Sequence, residues 1–247
     1  MMRTILTRVC LVGLTVSAVV LGSACNKRPP APNSPEAKSL SESKLCPASE
    51  GMISDGESNS NQINTIKGRG GYWYTFVDTN GSTITPTAGS MGGTFAMAPG
   101  GANGTKYAAH MVGQIGTADT VYAGMALNFV DPKGTYDGTP YKGISFWAKH
   151  GPGSTGKVRL KVPDINTDPD GKVCHECYND FGTDLTLTDD WQQYFVPYVH
   201  MRQMKGWGSP RTAGIDSSQM YAIQFQVAEK GSPYDIWVDE IQFTGCN

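Results

Sequence analysis

No apolar run in this chain approaches the roughly 20 residues that a helix needs to cross about 30 Å of hydrocarbon; the longest, Val9 to Leu21, has about 13. A permanent transmembrane helix is therefore not expected. Basic clusters are equally scarce. Lys and Arg number 20 against 22 Asp and Glu, and the only dense basic pair, Lys27-Arg28, lies in a segment too polar to fold. A phosphate-binding surface is missing, which excludes nucleic acid as a partner. Histidine is limited to His110, His150, His175 and His200, and no strand-elbow-helix pattern surrounds a Gly-x-Ser-x-Gly. That leaves a serine hydrolase without its nucleophile. Helical periodicity is nearly absent, so no helix N-terminus is available to hold a nucleotide. Gly151-Pro152-Gly153-Ser154-Thr155-Gly156-Lys157 copies most of a phosphate loop, but Val158 stands where a magnesium-binding hydroxyl belongs and a strand follows. It is read as a hairpin connection.

The N-terminus does carry an export signal. Arg3 and Arg8 precede the apolar core, and Gly22-Ser23-Ala24 leads to Cys25. Cleavage after residue 24 and acylation of Cys25 would make a lipoprotein; an ordinary signal peptide is the alternative. Residues 25–45 follow as a tether, with Pro29, Pro30, Pro32 and Pro35 and then Ser39, Ser41 and Ser43. That composition builds no core and behaves as a semi-rigid spacer. Losing Arg3 and Arg8 with the leader leaves 18 basic against 22 acidic side chains, a net charge of −4. The expected location is the bacterial cell envelope, at the outer membrane or cell surface, with the lipid anchor as the membrane contact. Residues 46–247 form the folded domain, long enough for one well-buried all-β unit.

Four cysteines remain beyond Cys25: Cys46, Cys174, Cys177 and Cys246. In an exported chain they are expected as two disulfides. Cys46 and Cys246 stand at the two ends of the folded segment and would meet if a sheet closes on itself, which leaves Cys174 with Cys177. The alternative for Cys174-His175-Glu176-Cys177 is a redox pair or half a zinc site, but no βαβ pattern surrounds it and no second pair completes a tetrad.

From residue 72 onward, apolar residues recur at every second position in short runs separated by Gly, Asn, Asp and Pro. Nine strands are predicted: 72–77, 94–97, 107–112, 125–129, 143–149, 158–162, 192–197, 220–227 and 234–244. That number suits a two-sheet sandwich, because one sheet so wide would leave an apolar face in water. In Val158-Arg159-Leu160-Lys161-Val162 the aliphatics face one way and Arg159 and Lys161 the other; Ile223-Gln224-Phe225-Gln226-Val227 repeats the arrangement with Gln224 and Gln226. If the two strands share a sheet, these four side chains make a surface suited to hydroxyl-rich ligands; otherwise they are a solvated sheet face.

Oxygen donors at alternate positions in Asn166-Thr167-Asp168-Pro169-Asp170-Gly171 imitate the start of a calcium loop, although Cys177 holds the place of its closing carboxylate. Asp55 and Glu57, ahead of the first predicted strand, and Asp239 on the last form a second candidate. By pattern alone they are solvated charges.

Three segments carry a family resemblance: Tyr141-Lys142-Gly143-Ile144-Ser145-Phe146-Trp147-Ala148-Lys149; Asp190-Trp191 with Tyr194-Phe195-Val196-Pro197; and Tyr234-Asp235-Ile236-Trp237-Val238-Asp239-Glu240-Ile241-Gln242-Phe243. With Ile53-Ser54-Asp55-Gly56-Glu57 and Gly68-Arg69-Gly70-Gly71-Tyr72-Trp73-Tyr74, they resemble the jelly-roll carbohydrate-binding modules of the family-eleven type. The Cys-x-x-Cys followed by Tyr178-Asn179-Asp180-Phe181-Gly182 is similar to a group of lipoproteins of delta-proteobacterial type. The resemblance implies a galactose-binding-like β-sandwich with a concave glycan face. It also implies a structural calcium ion linking the first strand to the end of the fold through Glu57 and Asp239, with Asp55 as a weaker member. The implied cleft uses Arg159, Lys161, Gln224 and Gln226 on the sheet, His110 on a neighbouring strand, and Tyr178, Asp180 and Trp207 at the rim. Trp147 and Trp191, inside the strand motifs, are expected in the core.

These readings converge on a non-catalytic, carbohydrate-binding lipoprotein of the cell envelope that captures a polysaccharide. One rival is an envelope protein whose jelly roll binds another protein, since a fold does not dictate its ligand. The other is a glycan-active enzyme, which needs a carboxylate pair in the cleft.

Overall fold

The computed structural model describes residues 45–246 apart from 59 and 90–94. The expected leader, the lipid site Cys25 and the tether as far as residue 44 lie outside the described residues. Among those described, twelve strands form two antiparallel sheets packed face to face, and the helical content is one turn, α1 (Ala48–Gly51), and two short 3-10 turns. The first sheet runs in the order β10 (Gln192–Pro197), β7 (Gly143–His150), β12 (Pro233–Thr244), β5 (Tyr107–Gln114) and β3 (Thr83–Thr85). Strands β1 (Met52–Ser54) and β4 (Ala98–Pro99) add to it on β12 and β5 respectively. The second runs β2 (Trp73–Val77), β6 (Ala123–Asn128), β11 (Ala222–Val227), β8 (Lys157–Val162) and β9 (Phe181–Thr186).

Alternation explains the layering. Val158, Leu160, Ile223 and Phe225 are buried on one side of the second sheet and meet Ile144, Phe146, Ile236 and Val238 from the first. Rings dominate the filling: Phe225 lies edge-on to Phe146 at 5.0 Å, and Trp73 stacks on Phe95 and Phe225 at 5.5 and 6.5 Å. A fully buried side chain of this size contributes about 1.5–3 kcal/mol relative to exposure. A disulfide joins the two ends of the described domain. Cys46 is bonded to Cys246, and beside them buried Arg69 donates to the Glu50 and Met52 carbonyls and to Tyr136 Oη while lying 5.3 Å from the Phe243 ring centroid. Cys174 and Cys177 form the second bridge.

Four details differ from the sequence reading. Residues 95–97 form no strand; Phe95 is buried against Trp73 instead. Strands β1, β3, β4 and β9 escape pattern reading because they are two to six residues long or, like β9, interrupt their alternation with Gly182 and Asp184. The Gly151–Lys157 loop is no hairpin within a sheet: it carries the chain from β7 in one sheet to β8 in the other, held by the Asp235 and Pro233 carbonyls. Trp147 and Trp191 are half-buried rather than core, since their positions fall on the outward side of the seven-stranded sheet; the buried tryptophan is Trp73, 1% exposed.

Candidate functional site: a cleft across the five-stranded sheet

Register builds the site. One cross-strand row on the outward face of the five-stranded sheet reads Tyr74, Ala126, Gln224, Lys161, Gly182, and the next reads Phe76, Gly124, Gln226, Arg159, Asp184. Each row places an aromatic ring on edge strand β2, a small residue on β6, an amide on β11 and a cation on β8. The small residues make the trough. A side chain at Gly124 would overlap the Phe76 ring, 2.8 Å from its Cε1. The resulting cleft has a volume of about 890 Å³.

Its floor is charged, and each of its cations is paired with a carboxylate. Lys161 Nζ lies 2.8 Å from Asp180 Oδ2 and donates to Gln226 Oε1 at 3.1 Å. Arg159 donates to Asp184 at 2.8 Å and to the Arg202 carbonyl at 2.5 Å. Lys133, from the loop after β6, bonds both oxygens of Asp168 at 2.9 and 2.8 Å and pairs with Asp170. Asp180 is different. It is 1% exposed, and the Lys161 ammonium approaches it off the angle a hydrogen bond needs, so among the described residues neither carboxylate oxygen has a hydrogen-bond partner. The Lys161 ammonium offsets its charge, and a ligand hydroxyl entering the cleft would supply the hydrogen-bond donor that its oxygens lack.

One wall comes from two loops, residues 172–180 and 199–211. Tyr178, Met204 and Trp207 stand there 61%, 49% and 42% exposed. The opposite end has Tyr122, Asp119 and Lys230, and Tyr74 borders the floor with its hydroxyl pushed up to about 12 by burial.

Seven of the eight residues proposed from sequence for a glycan therefore line one cleft: Arg159, Lys161, Tyr178, Asp180, Trp207, Gln224 and Gln226. The eighth does not. His110 lies on β5 in the other sheet, stacked on Trp237 at 3.8 Å and paired with Asp235 at 2.8 Å. Strand order, which alternation does not encode, separates it from β8 and β11. The sequence reading misses Tyr74, Phe76, Tyr122 and Lys133; the alternation of Tyr74 and Phe76 along β2 signals the first two, while Tyr122 and Lys133 lie in loops beside β6.

The proposed metal residues separate into two groups. Asp55 is committed to the Asn64 side chain and the Glu57 amide. Glu57 reaches across to accept the Lys106 and Tyr107 amides through Oε1 at 2.8 and 3.0 Å. Asp239, 2% exposed, accepts from the Ala102 amide, Thr105 Oγ1 and the Glu240 amide, and burial raises its carboxyl to about 6. Among the described residues no three acidic, His or Cys side chains meet as a metal cluster. Oxygens nevertheless converge beside Asp239: a Cβ on Gly56 would lie 2.7 Å from the Tyr107 carbonyl and 3.0 Å from Asp239 Oδ1, and one on Gly101 would lie 2.7 and 2.9 Å from the Tyr107 carbonyl and Asp239 Oδ2. An all-oxygen set that draws on carbonyls fits calcium. The Asn166–Gly171 loop has its cation already, in Lys133.

No protein-family model matches the sequence, and neither does any curated protein. Solved structures do resemble the fold. A family 11 carbohydrate-binding module of a cellulosomal cellulase of Clostridium thermocellum aligns at 18% identity over 79% of this chain and 94% of its own, with a TM-score of 0.53. A family 11 module from Clostridium thermocellum in complex with a β-1,3-1,4-mixed-linked tetrasaccharide aligns at 20% identity over 80% and 97%, with a TM-score of 0.54. The chain thus has the two-sheet jelly-roll architecture of family 11 carbohydrate-binding modules.

Proposed function

We propose that this chain is a non-catalytic saccharide-binding protein, tethered to the bacterial envelope through Cys25, whose five-stranded sheet captures a polysaccharide. The observation that carries the reading is the cleft: a polar floor of Gln224, Gln226, Arg159 and Lys161, a buried Asp180 lacking hydrogen-bond donors, and exposed Tyr178 and Trp207 on one wall. Amides and charged groups match sugar hydroxyls, and ring faces match the C–H faces of pyranoses. The likeness to a fold that holds a tetrasaccharide in one relative supports it. Glu57, Asp239 and the Tyr107 carbonyl would hold calcium as a clamp between β5, β12 and the segment after β1, with no part in chemistry. The test is isothermal titration of the full-length chain with β-1,3-1,4-linked tetrasaccharide and with a panel of neutral and acidic polysaccharides. Saturable binding weakened about tenfold by Trp207→Ala supports the reading. Absence of binding to every glycan by the folded, calcium-supplied protein overturns it and favours a protein partner.

A further inference from the structure

The Cys174–Cys177 bridge sits at the cleft rather than in the core: Cys177 itself lines the cavity, directly before Tyr178, Asn179 and Asp180. Tyr178 has φ +73°, a left-handed conformation that a bulky side chain adopts only when its surroundings impose it. Here the bridge fixes the chain before it, and the buried residues Asn179 and Asp180 fix the chain after it. The short bridged turn also grips the second loop. His175 donates its amide to the Ser209 carbonyl at 2.9 Å, Ser209 returns one to Glu176, and Gly208 donates to Glu176 Oε2 at 3.0 Å. Asn179 completes the join: its Nδ2 donates to the Met204 and Trp207 carbonyls at 2.9 and 2.6 Å, and its Oδ1 accepts the Met204 amide at 2.8 Å. Gly208, at φ +88°, comes so near Asn179 that a Cβ there would lie 2.6 Å from the Asn179 Cβ. The wall that presents Tyr178, Met204 and Trp207 is thus one assembly with the bridge at its base.

The fold itself has a different staple. Cys46–Cys246 closes a separation of 200 residues, whereas Cys174–Cys177 closes three, so the second contributes little to restricting the unfolded chain. We propose that the Cys174–Cys177 bridge is a positioning element of the cleft, holding the Tyr178–Trp207 wall in its saccharide-accepting geometry without being needed for the sandwich to fold. This rests on the cleft reading above.

The test compares the full-length chain with its Cys174→Ser/Cys177→Ser variant. The variant is expected to keep its thermal midpoint within a few degrees, to exchange the Met204, Gly208 and Ser209 amides at least about tenfold faster, and to bind the β-1,3-1,4-linked tetrasaccharide at least about tenfold more weakly. Adding Trp207→Ala to the variant should cost far less than in the parent, because the ring has already lost its place; a merely structural bridge would leave the two losses additive. Unchanged exchange at these amides, or unchanged affinity despite faster exchange, overturns the proposal. Should the variant not fold, brief exposure of the folded parent to dithiothreitol, with mass mapping of the bridge that has opened, gives the same comparison. If the parent binds no glycan, the functional reading fails, while amide exchange and Trp207 fluorescence still decide whether the bridge sets the wall.

Discussion

Both outer faces of this sandwich carry aromatic rings and charge, yet only the five-stranded one carries the cleft. On the seven-stranded sheet the aromatic surface satisfies itself. His110 covers one side of Trp237, Lys149 lies 5.3 Å from the Trp237 centroid and 5.2 Å from that of Trp191, and the Trp237 Nε1 donates to Asp235. On the five-stranded sheet the cations are paired but the demand is not fully met: Asp180 has the Lys161 ion pair and no hydrogen bond among the described residues, and Tyr178 and Trp207 are exposed large rings above it. Surface aromatics alone do not mark a binding face. What marks one is an aromatic or buried polar group whose partners the protein does not supply.

The largest effect expected follows from breaking the cleft's floor. Asp180→Ala leaves Lys161 buried with only Gln226, which should destabilise the fold by about 3–5 kcal/mol in denaturant titration. Asp180→Leu combined with Lys161→Met should recover most of that stability and none of the saccharide affinity. Recovery of both would mean that the pair is a core ornament and the cleft reads sugars elsewhere.

Next in size is the calcium clamp proposed at Glu57 and Asp239, beside the seven-stranded sheet. With calcium at about 100 times its dissociation constant, stability should rise by about 2.7 kcal/mol over the chelated protein. Asp239→Asn should remove the increment, since it takes the charge from the buried carboxylate at the centre of the oxygen cluster. An unchanged melting temperature with and without calcium would show that the Ala102, Thr105 and Glu240 donors hold this carboxylate by themselves.

The sandwich and four of the cleft residues, Arg159, Lys161, Gln224 and Gln226, were legible because both rest on period two: Val158-Arg159-Leu160-Lys161-Val162 states its own faces, and so does the β11 run, whereas Tyr178, Asp180 and Trp207 lie in loops and were reached through the resemblance. Trp147 and Trp191 were placed in the core from the motifs that carry the resemblance, although Trp147 falls on the outward side of β7; His110 was misplaced for the complementary reason. Alternation says that a residue points in or out, but it does not say which sheet its strand joins or which of two outer faces it reaches. Those are decided by long-range pairing, such as β12 lying between β5 and β7. The trough at Ala126 and Gly124 was illegible as well, because a small residue gains meaning only when register sets it between Tyr74 and Gln224 or Phe76 and Gln226. The Asn179 join was hidden in loops that have no period.

A matched pair of truncations sharpens the contrast between the outer faces. Trp207→Ala should lower saccharide affinity about tenfold, roughly 1.4 kcal/mol, and leave the melting temperature nearly unchanged because the ring is 42% exposed. Trp237→Ala should do the reverse, leaving affinity unchanged while it removes a ring packed against both His110 and Lys149. If Trp237→Ala also weakened binding, the seven-stranded face would be a second saccharide surface.

The smallest change tests the residue the strand order moved. His110→Gln gives up the contact with Asp235 and the stack on Trp237, both at a partly exposed position, so it should cost about 1 kcal/mol of stability or less. Asp235 retains the Trp237 indole donor at 2.7 Å, which keeps its carboxylate from being orphaned. Because His110 lies in the sheet opposite the cleft, titration with the tetrasaccharide should give the parent affinity. A drop of tenfold in this variant would place the histidine in communication with the cleft through the sandwich core, and the separation of the two faces argued from Trp237 would no longer hold.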